Sequence, residues 1–214
     1  MKRKKIGIMG GTFNPIHNGH LVLGQTAYEQ FKLDQILFMP TKNPYYKKLN
    51  HTATLEDRVN MVKLAIEAND AFAFSDLELL REGNTYTVET LKILTRENPD
   101  TEYYFIMGAD SLYHFETWKD AASILKMAIL LVAARDDVSS HAIEGQIEYL
   151  ENKYEEGNIQ CLMTPNLEIS SNNIRKRCRE GKSIRYLVPD QVIKYIKDHG
   201  LYENSCREGE TFGV

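Results

Sequence analysis

The sequence predicts an α/β fold: a doubly wound, mostly parallel sheet built as a single domain. Three observations carry this expectation. Short apolar runs alternate with longer stretches of helical period along the chain. The apolar runs show little internal polar alternation, as strands buried on both faces do. Charged residues, glycines and prolines punctuate their ends, where right-handed strand–helix–strand crossovers must turn.

Taken in order, residues 6–9 read as the first strand and residues 20–31 as the first helix. Residues 35–39 form the second strand. Thr54-Leu55-Glu56-Asp57 then opens a helix over residues 55–69, with a cap-like Thr and an acid three positions on, a variant of the capping box. Residues 72–77 carry a weaker strand pattern, and residues 87–97 the next helix. Strands at 103–107, 128–133 and 160–163 follow, with a helix over 142–156 between the last two. Helices at 171–179, stopped near Gly181, and 190–199, stopped by Gly200, complete the pattern. No internal repeat and no low-complexity linker interrupts it. Residues 1–202 are therefore expected to form one domain, and 203–214, polar with no apolar period, a flexible tail.

Composition bounds the function classes. With 214 residues, 43% of them hydrophobic and 26% charged, the chain suits a globular domain with a real core. Lys+Arg 26 against Asp+Glu 30 leaves a net charge of −4, which removes the global basic field that nucleic acid or an anionic membrane would need. Three cysteines without CxxC spacing exclude a disulfide framework and a cysteine-built zinc site. The basic start at residues 1–5 is followed by only four apolar residues, so no secretory segment is predicted, and no window of about 20 apolar residues exists. A cytoplasmic protein without nucleic-acid or membrane partners is the expectation. A homo-oligomer is compatible with the sequence, which does not fix that state.

In a doubly wound sheet, ligands sit beyond the carboxyl ends of the strands, where strand order reverses. After the first strand comes Gly10-Gly11-Thr12-Phe13-Asn14-Pro15-Ile16-His17-Asn18-Gly19-His20. Two adjacent glycines permit a sharp turn and close backbone approach to a ligand. The helix starting near Asn18 points free N–H groups and its positive dipole end at the same place, which makes an anion site. His17 and His20, three apart, can face one phosphate. No Gly-Lys-Ser/Thr follows the glycines and no third zinc ligand lies nearby, so neither a Walker A loop nor an HExxH-type zinc site fits. A glycine-rich turn with two exposed histidines is the plainer alternative.

Far along the chain, Glu168-Ile169-Ser170-Ser171-Asn172-Asn173-Ile174-Arg175 offers a second anion site. Ser170 or Ser171 can cap a helix whose first turn carries Arg175, a residue able to hold phosphate oxygens bidentately. The alternative for Arg175-Lys176-Arg177 is a solvated basic face.

The first of these strings resembles the T/HxGH signature of the nucleotidyltransferase superfamily, and Ile-Ser-Ser-x-x-Ile-Arg is the string that accompanies it there. Within the superfamily the chain is most similar to the nicotinate-nucleotide adenylyltransferases, over about residues 5–202. Arg81-Glu82-Gly83-Asn84-Thr85-Tyr86-Thr87-Val88-Glu89-Thr90-Leu91 resembles that family's R-x-G-x-[ST]-Y-T-x-[DE]-T-L, and Gly108-Ala109-Asp110 its G-[AS]-D strand end. Trp118 follows at the spacing of the residue that stacks the pyridine ring. Asn43-Pro44-Tyr45-Tyr46-Lys47 resembles the loop usually written N-P-P-H-K, with Tyr45-Tyr46 in place of Pro-His. Asn14 stands where the family more often has Asp.

The resemblance implies a Rossmann-like fold and adenylyl transfer from ATP to nicotinate mononucleotide, giving deamido-NAD and pyrophosphate. It implies that His17, His20 and Arg175 carry the chemistry. ATP and its phosphates would meet Gly10, Gly11, Thr12, Phe13, Gly19, Gly108, Asp110, Ile169, Ser170 and Ser171. The mononucleotide would meet Asn14, Lys47, Thr85, Tyr86 and Trp118. Mg2+ is expected on the phosphates, mostly hydrated, with no protein ligand named. The residues make chemical sense on their own terms: an aromatic slab covers a flat ring, and main-chain donors near Thr85 suit a carboxylate. The rivals are pantetheine-phosphate adenylyltransferases and cytidylyltransferases on the same fold, an adenylyltransferase for the nicotinamide mononucleotide, and a nucleotide sensor without turnover.

Overall fold

The computed structural model describes residues 3–42, 53–81, 83–134, 137–155 and 157–203. Six strands run β1 Lys4–Gly11, β2 Gln35–Pro40, β3 Phe72–Phe74, β4 Thr101–Gly108, β5 Ala128–Ala134 and β6 Ile159–Met163. All pair in parallel in the order β3-β2-β1-β4-β5-β6. The eight helices among the described residues are α1 Asn18–Gln30, α2 Leu55–Ile66, α3 Thr87–Glu97, α4 Ala109–Tyr113, α5 Ala121–Met127, α6 Asp137–Tyr154, α7 Ser171–Arg179 and α8 Asp190–Asp198. None of them is long and apolar enough to cross a membrane.

The period-2 alternation of strand side chains divides the core into two layers. Ile6, Ile8, Tyr103, Phe105, Met107, Leu130 and Val132 face one side, where α3, α4, α5 and α6 pack. Met9, Tyr104, Ile106 and Leu131 face the other, against α1, α2, α7 and α8. Burial on both faces explains why these strands read as unbroken apolar runs. The reversal in strand order falls between β1 and β4, so the loops after Gly11 and Gly108 open side by side.

Most elements lie where the sequence places them, and the departures have local causes. β3 stops at Phe74 rather than residue 77. α2 ends at Ile66 because Asn69 turns the chain, its side chain accepting from the Ala71 N–H at 3.0 Å. α6 begins at Asp137, ahead of residue 142. The missed α5 is capped by Asp120, which sits in the left-handed region at φ 54° and accepts from the Ser123 N–H. No breaker separates α5 from β5, so the two read as one apolar stretch. Tyr45, Tyr46, Lys47 and residues 204–214 of the expected tail lie outside the described residues.

Candidate active site

Three helices begin at the carboxyl edge of the sheet. His17, Tyr86 and Ser170 occupy their N-cap positions, at the starts of α1, α3 and α7. Each helix brings the positive end of its dipole to the same end of the molecule. Two cavities open there. One, of about 250 Å³, is lined by Gly10, Gly11, Thr85, Tyr86 and Trp118 among others. The second, of about 390 Å³, is lined by His17, Gly19, Ile169, Ser170, Ser171 and Arg175 among others. His20, Leu23 and Gly108 line both, so the cavities adjoin at the reversal point between β1 and β4.

The geometry brings together residues from the two strings singled out above. Arg175 Nη1 donates to the Asn14 carbonyl at 2.7 Å, and its Nη2 to Asn172 Oδ1 at 3.3 Å. The Ser171 hydroxyl donates to the Pro15 carbonyl at 2.9 Å. Ser170 caps α7 by accepting from the Asn173 N–H at 3.2 Å. The loop after β1 and the start of α7 thus form one built surface.

His17 and His20 stack with ring centroids 3.7 Å apart. The His17 N–H donates to His20 Nδ1 at 3.2 Å, which leaves the proton of a neutral His20 on Nε2. Phe13 meets the His20 ring edge-on at 5.1 Å from φ 46°, a left-handed conformation that a bulky residue adopts only when its surroundings demand it. His17 is 7% exposed and its Nδ1 has no hydrogen-bond partner. Burial pushes the His17 imidazole down to about 4. Burial and the neighbouring His17 push His20 well below its ordinary value. Both rings are therefore neutral near pH 7 until an anion arrives to stabilise the charged form.

No acidic residue lines the second cavity among the described residues. Arg175 stays cationic there although burial lowers its value. Two imidazoles, an arginine and two helix N-termini around an acid-free cavity suit a chain of phosphates. The first cavity is more apolar. Trp118 stands there between Phe105 and Phe115, at centroid distances of 5.8 and 5.6 Å. Lys119 holds its ammonium 4.7 Å over the Tyr86 ring.

Not every expected site residue lines a cavity. Phe13 and Asn14 are 2% and 4% exposed and lie beneath the loop. Asp110 lies exposed in the first turn of α4, and its neighbour Ser111 lines the first cavity instead. Thr12 presents its carbonyl to Arg58. Lys47 lies outside the described residues. The sequence reading missed Arg58, Glu78, Lys119 and Tyr202. Arg58 had a readable signal, because it occupies a core position in the helical period of α2 that Met61, Val62 and Ile66 continue. Tyr202 had none.

A family model described as cytidylyltransferase-like matches residues 8–177. A protein of Lachnoclostridium phytofermentans named "probable nicotinate-nucleotide adenylyltransferase" is 47% identical over 93% of this chain and 99% of its own length. A protein of the same name from a Synechococcus strain is 42% identical over 94% and 98%. Among solved structures, the nicotinic acid mononucleotide adenylyltransferase of Plasmodium falciparum in complex with NaAD superposes with a TM-score of 0.75 at 21% identity, covering 93% of this chain and 97% of that one. This last likeness is one of fold.

Proposed function

This chain belongs to the nicotinate-nucleotide adenylyltransferases, within the cytidylyltransferase-like family, and we propose how its residues carry the reaction. It transfers the adenylyl group of ATP to nicotinate mononucleotide, giving nicotinate adenine dinucleotide and pyrophosphate in the synthesis of NAD. The observation that supports the assignment of roles is the His17–His20 stack at the start of α1, where both histidines and Arg175 line one acid-free cavity and His17 Nδ1 has no hydrogen-bond partner.

The attacking group is a phosphate oxygen of the mononucleotide, anionic at neutral pH, so no protein nucleophile or general base is needed. A bond forms between that oxygen and the α-phosphorus as the bond from phosphorus to the pyrophosphate oxygen breaks, in line. The work of the protein is positioning and charge stabilisation. His17 and His20 hold the transferring phosphate, each imidazole gaining affinity for a proton as negative charge comes beside it. Arg175, Ser170 and Ser171 hold the two phosphates that leave. Gly10, Gly11, Gly19 and Gly108 let the main chain approach the nucleotide. Trp118, Thr85 and Tyr86 take the pyridine ring and its carboxylate at the N-terminus of α3, and Lys47 and Asn14 serve the mononucleotide phosphate, Asn14 by shaping the loop from below.

A triphosphate substrate concentrates charge that a divalent metal ion offsets, and Mg2+ is our proposal for this chain. No group of three His, Cys, Asp or Glu side chains able to hold a metal exists among the described residues. The donors present suit an ion carried in by the triphosphate and water rather than a carboxylate cage. Mg2+ bound there would offset charge on the phosphate oxygens.

Pyrophosphate release from ATP and Mg2+ with nicotinate mononucleotide, compared with its amide, tests the reading. Release strongly favouring the acid is expected. Equal or greater release with the amide overturns the substrate, and silence with both overturns the reaction.

A further inference from the structure

Arg58 is the largest fully buried side chain among the described residues, 1% exposed. Burial lowers its affinity for a proton, and among the described residues no carboxylate forms an ion pair with it. Its fork ends on main-chain carbonyls instead. Nη1 donates to Thr12 at 2.6 Å and Thr41 at 3.0 Å, and Nη2 to Lys42 at 3.5 Å. Thr12 follows β1 and Thr41 follows β2, so one guanidinium clasps the loops of two adjacent strands, while its Nε stays buried without a partner.

The connection continues. Lys42 Nζ donates to the Arg81 carbonyl at 3.3 Å. Arg81 Nη1 donates to Thr90 Oγ1 at 3.2 Å, and the Thr90 hydroxyl donates to Glu78 at 3.0 Å. Glu78, 8% exposed, lines the first cavity together with Thr41 and Thr85. Arg81 and Thr90 bracket Thr85 and Tyr86 in sequence. A continuous run of hydrogen bonds therefore joins the loop that carries His17 to the loop before α3.

A buried cation without a counter-charge is costly, and a fold retains one where geometry or charge is needed. Resting on the reaction assigned above, we propose that Arg58 is a positioning residue for both substrates. It fixes the nucleotide loop against the loop after β2, and through Lys42 it fixes the loop that receives the pyridine ring. It touches neither substrate.

Three variants test this: Arg58→Lys, Lys42→Met and the pair together. A lysine keeps the charge but cannot span three carbonyls with a planar fork. Arg58→Lys should raise the KM for ATP and that for the mononucleotide, each about tenfold, the loss expected for charge-assisted hydrogen bonds. Lys42→Met should raise the mononucleotide KM alone. The pair should be no worse for the mononucleotide than Arg58→Lys by itself, because both cut one tie. A merely structural Arg58 would lower the unfolding temperature and the active fraction, so that kcat fell with both KM values unchanged, and that result overturns the proposal.

Amide hydrogen exchange on the same substrate-free proteins separates this inference from the reaction it rests on. Exchange should quicken at residues 10–14 and 83–87 in Arg58→Lys and only at 83–87 in Lys42→Met. Wild-type exchange in both loops of Arg58→Lys overturns the clasp whatever the substrates. A wild type silent toward both mononucleotides overturns the reaction and leaves the exchange test to decide the clasp. Should Arg58→Lys fail to fold, Lys42→Met decides, and an unchanged mononucleotide KM with unchanged exchange overturns the proposal.

Discussion

The Tyr202 hydroxyl donates to Asn14 Oδ1 at 2.7 Å, tying the turn after α8 to the loop after β1 across 188 positions of sequence. The carbonyl of the same Asn14 accepts from Arg175. Burial pushes the Tyr202 phenol far up, so it stays protonated and keeps its hydrogen for Asn14. The neutral Asn14 amide meets that hydrogen with its oxygen and adds no negative charge to the proposed phosphate site.

Tyr202→Phe should strand the buried Asn14 oxygen. Leaving such an acceptor without a partner costs about 1–3 kcal/mol, which lowers the unfolding midpoint by roughly 2–4 °C per kcal/mol in a chain of this size. Activity should fall further than stability, because the loop that aims Arg175 loosens. Thermal unfolding alongside pyrophosphate release checks both, and an unchanged midpoint would mean that the tie contributes nothing.

His17 sets a pH dependence whose sign follows from burial. Its value falls from 6.5 to about 4 on folding, so the folded state favours the neutral ring. The stabilisation is complete above pH 6.5 and is lost as pH falls from there to about 4, at roughly 1.4 kcal/mol per pH unit for one such group. His20 shifts in the same direction. Urea midpoints measured from pH 7 to pH 4 should therefore drop, and His17→Asn should flatten part of that slope. An equally steep slope in the variant would assign the acid sensitivity elsewhere.

Gly19→Ala should separate activity from stability. An added Cβ would stand 3.1 Å from His17 Nδ1 and 3.2 Å from its Cε1, tighter than ordinary contact. The His17 ring must give by a few tenths of an ångström to make room. Within α1 an alanine is otherwise favoured over glycine by about 1 kcal/mol. The variant should keep or raise its unfolding midpoint while kcat falls severalfold, up to about tenfold, since misplacement by a full ångström costs about a hundredfold. Retained kcat would show that His17 does not hold the transferring phosphate.

Ile6, Ile8, Phe105 and Leu130 made the fold legible, since strands buried on both faces announce themselves by unbroken apolar runs. Gly10 through His20 and Ile169 to Arg175 were legible as strings of fixed spacing, and the structure brings the two together around one cavity. The ties that brace the first of these strings were not legible. Arg58 binds carbonyls, which every residue has, so its partners leave no mark in the sequence. Tyr202 reaches Asn14 only because α8 packs against α2. The short α5 was hidden by its junction with β5, where helix and strand share one apolar composition.

Trp118 gives the last prediction. It is the single tryptophan in the chain, supported by Phe105 and Phe115 at the wall of the first cavity. A pyridine ring stacked on it loses about 1–3 kcal/mol when the indole is cut to alanine, by analogy with base stacking. Trp118→Ala should therefore raise the mononucleotide KM by roughly 5- to 150-fold and leave the KM for ATP alone, with Trp118→Phe between it and wild type. Because the ring is bound alike in ground and transition states, kcat should change little. The same stacking should alter the fluorescence of the lone indole when mononucleotide is added. A fall in kcat at constant KM would place the ring away from Trp118 and leave the indole a packing role between Phe105 and Phe115.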